Sequence, residues 1–135
     1  MSIEKAYDAW ATRYDTDRNR TRDLDSTSTA ATLSNYSFQR VLELGCGTGK
    51  NTEWLLNRVE RVIGLDFSQA MLDIAKEKMA NNRARFIKAD LTSEWNIDAQ
   101  WADLVTSSLT LEHIEKLDPV FEQSNRTLAE NGLFF

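Results

Sequence analysis

The sequence predicts an α/β domain built on a doubly wound parallel sheet. Three observations carry that reading. From Arg40 onward, short apolar runs alternate with segments of helical spacing, a pattern that needs right-handed crossovers and a sheet covered on both faces. The first apolar run ends in a glycine-rich turn, VLELGCGTGKNT over residues 41–52, at the carboxyl edge where open parallel sheets bind ligands. No fixed-period repeat, low-complexity segment or proline- or glycine-rich linker divides the 135 residues, so one domain is expected.

The elements follow in order. Ile3, Ala6, Tyr7, Trp10, Ala11 and Tyr14 recur at helical spacing, so residues 3–14 read as an amphipathic helix. Residues 15–29 interleave acids and arginines and read as a solvated loop, with a second helix over about 25–36. Arg40 and VLEL form the first strand, and Thr48–Arg58 a helix through Trp54 and Leu55. RVIGLD, 61–66, is the second strand. Ser68 caps the helix after it, whose face is Ala70, Met71, Ile74, Ala75 and Met79. Strands three and four are 84–90 and 102–108. Asp118-Pro119 supplies an N-cap acid and a proline at the first helical position, and that helix should stop at Asn131-Gly132. Leu133-Phe134-Phe135 begins a fifth strand.

Composition narrows the function. No run of 18 apolar residues exists and the N-terminus lacks an apolar signal region, so neither a membrane span nor a secretory leader is expected. The single cysteine, Cys46, excludes an intrachain disulfide and a cysteine zinc cluster and fits a reducing cytoplasm, and no metal site is expected. A net charge of −5 with no basic stripe points away from nucleic acid and toward a small-molecule or protein substrate.

The glycine loop can be tested against known ligand cradles. A phosphate loop needs a glycine four residues before Gly-Lys and a hydroxyl after it, but those positions hold Leu44 and Asn51. A dinucleotide loop wants a small residue where Lys50 stands. One shared element survives. Asp66 ends the second strand, 21 residues after Gly45, where an acid can accept two ribose hydroxyls. A nucleoside is therefore expected, and a pyrophosphate is not.

These residues resemble a family. Glu43, Gly45, Gly47 and Gly49 match the E-x-G-x-G-x-G cofactor loop of class I S-adenosylmethionine-dependent methyltransferases. GLDFSQAML (64–72), FIKADLT (86–92), ADLVTSSLTLEHI (102–114) and ENGLFF (130–135) resemble that family's later segments, in order. YDAWATRYD and NRTRDLD look like a branch acting on small molecules. The resemblance implies a Rossmann-like sheet of order 3-2-1-4-5, with residues 1–37 a helical cap and 38–135 the S-adenosyl-L-methionine domain. It also implies that the chain ends in strand five, without the family's C-terminal hairpin, leaving an apolar edge open to self-association.

The resemblance places Tyr14, Glu43, Gly45, Cys46, Gly47, Gly49, Asp66, Phe67, Met71, Asp90, Leu91 and Ser107 around the cofactor. Glu43 braces the loop near the cofactor amine, Asp66 takes the ribose, Asp90 the adenine amine and Leu91 the ring, and Tyr14 closes over the tail. Cys46 itself reads as a small packing residue. His113, the only histidine, follows the fourth strand and is the candidate general base. The implied activity is in-line methyl transfer to a small-molecule oxygen, nitrogen or carbon, where alignment in a water-poor site contributes about 7–11 kcal/mol. Two rivals stand beside it. One is a truncated, non-catalytic cofactor-binding module acting through a partner; the other is a nucleotide-dependent oxidoreductase, against which Lys50 argues.

Overall fold

The computed structural model of the chain describes residues 3–11, 33, 36–80, 82–107 and 111–135. Its frame is a five-stranded parallel sheet of order β3-β2-β1-β4-β5, formed by β1 (Arg40–Leu44), β2 (Arg61–Asp66), β3 (Ala84–Lys88), β4 (Ala102–Ser107) and β5 (Leu128–Phe134). The expected fold class and strand order are both found. Helices α1 (Ile3–Trp10), α2 (Lys50–Leu56), α3 (Gln69–Lys78) and α4 (Asp118–Thr127) surround it. No described helix is long and apolar enough to cross a membrane.

The central strands are apolar almost without interruption because both of their faces are covered. Alternate residues feed two cores. Val41, Val62 and Leu104 point to one, with Leu55 and Leu56 of α2 and Leu72 and Ala75 of α3. Leu42, Leu44, Ile63, Leu65 and Val105 point to the other, with Trp95, Ile97 and Val120. The first N–H groups of the β1 region, Gln39 and Arg40, donate to the Asp103 carboxylate at 2.8 and 3.0 Å.

Several boundaries move. The first helix is described only to Trp10, and residues 12–14 and nearly all of the expected 25–36 helix lie outside the described residues. The helix after the loop starts at Lys50 rather than Thr48, because Gly49 is its N-cap in the left-handed region, φ 86°. Strand three ends at Lys88, and Asp90 instead opens a turn. Asp118 is the first residue of α4 and Leu117 its cap, so the acid acts on the helix dipole rather than as a cap.

The largest correction is where α4 ends. It stops at Thr127, not at Asn131-Gly132. Ser124 Oγ donates to Val120 O at 2.7 Å, and Thr127 Oγ1 donates to Gln123 O at 2.8 Å. These back-bonds draw carbonyls away from the helix ladder. Leu128 then turns extended and pairs with Ala102. Asn131-Gly132 falls inside β5, at an irregularity where β4 advances from Ala102 to Leu104 while β5 advances from Leu128 to Leu133. Asn131 takes φ 65° there.

Residues 89–101 join β3 to β4 without helix or strand, yet they are held firmly. Trp95 is 2% exposed, and its indole N–H donates to Leu91 O. Arg126 donates to Ile97 O and Trp95 O, both at 2.7 Å, and to Gln123 Oε1. An Arg126→Leu variant leaves those two carbonyls without their donor. It should lose about 2–4 kcal/mol of stability, read from urea midpoints. A change within about 0.5 kcal/mol would show that water replaces the clamp.

Candidate functional site

The carboxyl edge of β1 is where the chain departs from ordinary backbone. Gly45, Gly47 and Gly49 all have positive φ, at 68°, 56° and 86°. Two consequences matter. A Cβ on Gly49 would sit 2.1 Å from Met79 Cε, so the glycine lets α2 begin against α3. A Cβ on Gly47 would meet nothing within 4 Å, so this backbone borders open space. The loop is tied to β2 by the N–H groups of Gly45 and Cys46, which donate to Leu65 O at 2.7 and 3.1 Å.

Cys46 turns the other way. Its side chain is 6% exposed and lies over Gly64 of β2, where a Cβ would come within 2.8 Å of Sγ. Burial pushes its thiol well up, and Glu43 and Asp66 add to the shift. Its backbone lies in the glycine loop, and its side chain packs against β2.

Two acids flank the loop. Glu43 is buried on β1, and its Oε1 accepts the hydroxyl of Thr52 from α2. Burial raises Glu43 to about 7; the Thr52 hydrogen bond opposes the rise and the Asp66 charge adds to it. Its β4 neighbour is Thr106, whose buried Oγ1 has no partner among the described residues.

Asp66 ends β2 at 4% exposure. Its Oδ2 accepts Gly47 N–H at 2.8 Å and its Oδ1 accepts Ser68 N–H at 3.0 Å. Burial raises its pKa, while N–H groups of Ser68, Gly47 and Phe67 hold it down. Three backbone N–H donors, Gly47, Phe67 and Ser68, leave about one of the carboxylate's roughly four acceptor sites for an incoming hydroxyl. Ser68 caps α3 as expected, its Oγ accepting Met71 N–H.

The other expected residues divide. Phe67 is half-buried beside Asp66, while Met71 and Leu91 are buried. Ala89 N–H donates to Asp66 O at 2.8 Å, which brings the start of the Asp90 turn to the end of β2. Asp90 is exposed and held low by the hydroxyl and N–H of Thr92. Ser107 stands beside Leu44 at the end of β4, and its buried Oγ has no partner among the described residues. His113 is exposed in a short 3-10 turn, Leu111–His113, that Leu111 and Ile114 fix to the second core. Tyr14 lies outside the described residues. Among the described residues no group of three His, Cys, Asp or Glu could hold a metal ion.

Sequence reasoning missed Thr52 and Asp8. Thr52 lies one helical turn past Gly49, on the face that meets β1, so the spacing carried a signal for it. Asp8 Oδ1 accepts the Ser68 hydroxyl across 60 residues, and nothing local announces that contact.

The site's features fit a ligand with hydroxyl donors and no phosphate: an open glycine backbone, an acid with spare acceptor capacity, and an unpartnered hydroxyl on the same edge. Comparison with known proteins places the chain in a family. A methyltransferase-domain family model matches residues 41–132. A trans-aconitate 2-methyltransferase of Variovorax paradoxus is 34% identical over 96 residues, covering 70% of this chain and 36% of that protein. A malonyl-[acyl-carrier protein] O-methyltransferase of Priestia megaterium is 30% identical over 68% of this chain and 34% of its own length. The chain therefore spans little more than a third of each of these two relatives. The solved DhpI–SAH complex is 26% identical with a TM-score of 0.77, covering 96% of this chain and 64% of that one.

Glu43 makes a pH prediction. Between its unperturbed value of 4.5 and about 7 the folded chain binds more protons than the unfolded one, so stability falls as pH rises through that window. The contribution is on the order of 3 kcal/mol, fully lost above the folded value. Glu43→Gln keeps an acceptor for Thr52 and offers N–H to the idle Thr106 oxygen. It should flatten the fall in urea midpoint between about pH 5 and 8 and be more stable than wild type at the upper end. An unchanged slope would mean that Glu43 does not titrate there.

Proposed function

Because the chain belongs to the S-adenosylmethionine-dependent methyltransferases, we propose that it binds S-adenosyl-L-methionine at the carboxyl edge of β1, β2 and β4 and transfers the methyl group to a small-molecule acceptor. The observation that carries the reading is Asp66. A buried carboxylate, pinned by Gly47 and Ser68 and facing a glycine backbone that borders open space, is built to accept neutral hydroxyl donors.

When bound, the cofactor supplies an electrophilic methyl on a sulfonium, which an acceptor displaces in line. The chain's own residues bind and align. Asp66 accepts the ribose hydroxyls, and backbone carbonyls of the loop, whose N–H groups at 45, 46, 47 and 49 are spent on its own bonds, face the ammonium of the amino-acid tail. Glu43 keeps the loop anchored through Thr52 and presents negative potential toward a cationic ligand. Asp90 takes the adenine amine, with Leu91 and Phe67 as apolar walls, and the Ser107 hydroxyl lines the cleft. Residues 1–37 act as a cap over the domain formed by 38–135. The small-molecule acceptor is supported by relatives named for trans-aconitate and by the absence of a basic stripe in a chain of net charge −5.

Against the second rival, a nucleotide-dependent oxidoreductase, stands Lys50 at the position where a dinucleotide loop wants a small residue. The first, a non-catalytic module, is separated by turnover. We also propose that the β5 edge self-associates. Leu133, Phe134 and Phe135 are each about two-fifths exposed, and Phe121 packs edge-on to Phe134 at 5.8 Å.

Calorimetric titration with S-adenosylhomocysteine tests the binding. Wild type should bind at micromolar affinity, NAD and ATP should not bind, and Asp66→Ala should weaken binding about 10- to 100-fold with its thermal unfolding still cooperative. No binding by folded wild type would reject the site. With an acceptor found by screening, formation of S-adenosylhomocysteine would exclude the non-catalytic module. A His113→Ala drop of about a hundredfold or more would make the exposed imidazole the general base, and an unchanged rate would remove it. Light scattering at rising concentration should show growing mass, and a strictly monomeric chain would refute the edge contact.

A further inference from the structure

Helix α1 carries two acids, Glu4 and Asp8, one turn apart and therefore on one face. Both reach the carboxyl edge of the sheet. Glu4 Oε1 lies 2.8 Å from Lys88 Nζ, and Lys88 is the β3 register partner of Asp66. Asp8 Oδ1 accepts the hydroxyl of Ser68. From Ser68 the chain of contacts continues, since its N–H donates to Asp66 Oδ1 and Asp66 Oδ2 accepts the N–H of Gly47. An unbroken hydrogen-bonded line thus runs from the N-terminal helix to the open glycine of the loop.

We propose that Asp8 is a positioning residue: by holding the Ser68 hydroxyl it sets the placement of the Asp66 carboxylate, so that docking of α1 and occupation of the nucleoside site are linked. The inference rests on the reading of Asp66 as the ribose anchor.

Ser68 makes the link physical. It is wholly buried, its one hydroxyl proton goes to Asp8, and its oxygen takes Met71 N–H at 3.3 Å. Without Asp8 that buried proton needs another acceptor. The Asp66 carboxylate, already bonded to the same residue's N–H, then takes it. A lone pair that ribose hydroxyls would use is lost, and the α3 cap is disturbed. Asp8 therefore keeps Asp66 open to ligand.

Charge adds a second signature. The groups around Asp66 are Glu43 from β1, the Cys46 thiol from the loop, Lys88 from β3, Glu4 and Asp8 from α1, and the N–H groups of Gly47, Phe67 and Ser68. Asp8 pushes Asp66 upward in the same direction as burial does. Removing its charge moves Asp66 down, and the acid limb of ligand binding moves to lower pH with it. Linkage also requires the reverse effect: a ligand that fixes Asp66 holds α1 more tightly by the same factor.

The test compares wild type, Asp8→Ala, Asp8→Asn and Glu4→Gln in the full chain, with S-adenosylhomocysteine as the probe. In ligand-free protein, Asp8→Ala should raise amide exchange at Gly47 and Ser68 about tenfold. Asp8→Asn keeps an acceptor oxygen and should stay close to wild type. Glu4→Gln removes only a half-exposed ion pair of α1 and leaves the Asp8–Ser68 contact in place, so it should leave both amides protected. With probe, Asp8→Ala should lose about 5- to 20-fold in affinity. Asp8→Asn should bind near wild type at neutral pH with its acid limb shifted down. Ligand should protect the α1 amides in wild type but not in Asp8→Ala. Unchanged exchange and affinity in Asp8→Ala, or the same losses in Glu4→Gln, would overturn the positioning role while leaving the cofactor reading intact. A wild type that binds no probe would overturn the cofactor reading and the linkage with it. The ligand-free exchange then still decides whether Asp8 places Asp66.

Discussion

A single carboxylate joins the parts of this structure that matter for ligand. Asp66 is taken out of water at the end of β2, a cost that only strong donors can offset. Those donors are backbone N–H groups from two directions, Gly47 in the loop after β1 and Ser68 at the head of α3. The loop cannot adopt its three left-handed glycines in another place without losing this bond, and α3 cannot shift its first turn. Strand end, loop and helix cap are one constraint expressed three times.

Glu43 and Asp66 show how the same buried chemistry yields different electrostatics. Asp66 is ringed by N–H dipoles that favour its charge, while Glu43 has one hydroxyl donor and an apolar strand around it. One acid is organised to stay an acceptor for hydroxyl groups. The other sits near neutrality and responds to whatever charge enters the cleft. A cation arriving beside Glu43 would favour its ionised form, and its arrival would then release a proton.

Much of this was legible in the chain because it follows from local rules. Strands buried on both faces are short apolar runs, and VLEL and RVIGLD, each bounded by a turn, read as such. Alternating glycines between a strand and a helix mark a backbone that needs left-handed φ, and all three take it. Ser68 before an apolar face is a cap by its chemistry. The rest depended on contacts that no window contains. The end of α4 was misplaced because Asn131-Gly132 looks like a helix stop, whereas Ser124 and Thr127 had already turned their hydroxyls onto the helix carbonyls. The direction of Cys46 was set by a missing side chain at Gly64 on another strand. The Asp8–Ser68 contact joins an exposed-looking helix to a cap 60 residues away. Tyr14 stays an expectation from resemblance.

The Asp103 carboxylate has a meaning in time as well as in space. It receives the N–H groups of Gln39 and Arg40, which precede it by 64 and 63 residues. During synthesis the strand pair β1–β2 and its β3 neighbour emerge first, and they can associate through contacts close in sequence. The amino end of β1 stays unsealed until residue 103 has left the ribosome. The central strand of the sheet is therefore among the first to be made and among the last to be finished, and the open edge beside it waits for β4 as the nascent chain grows.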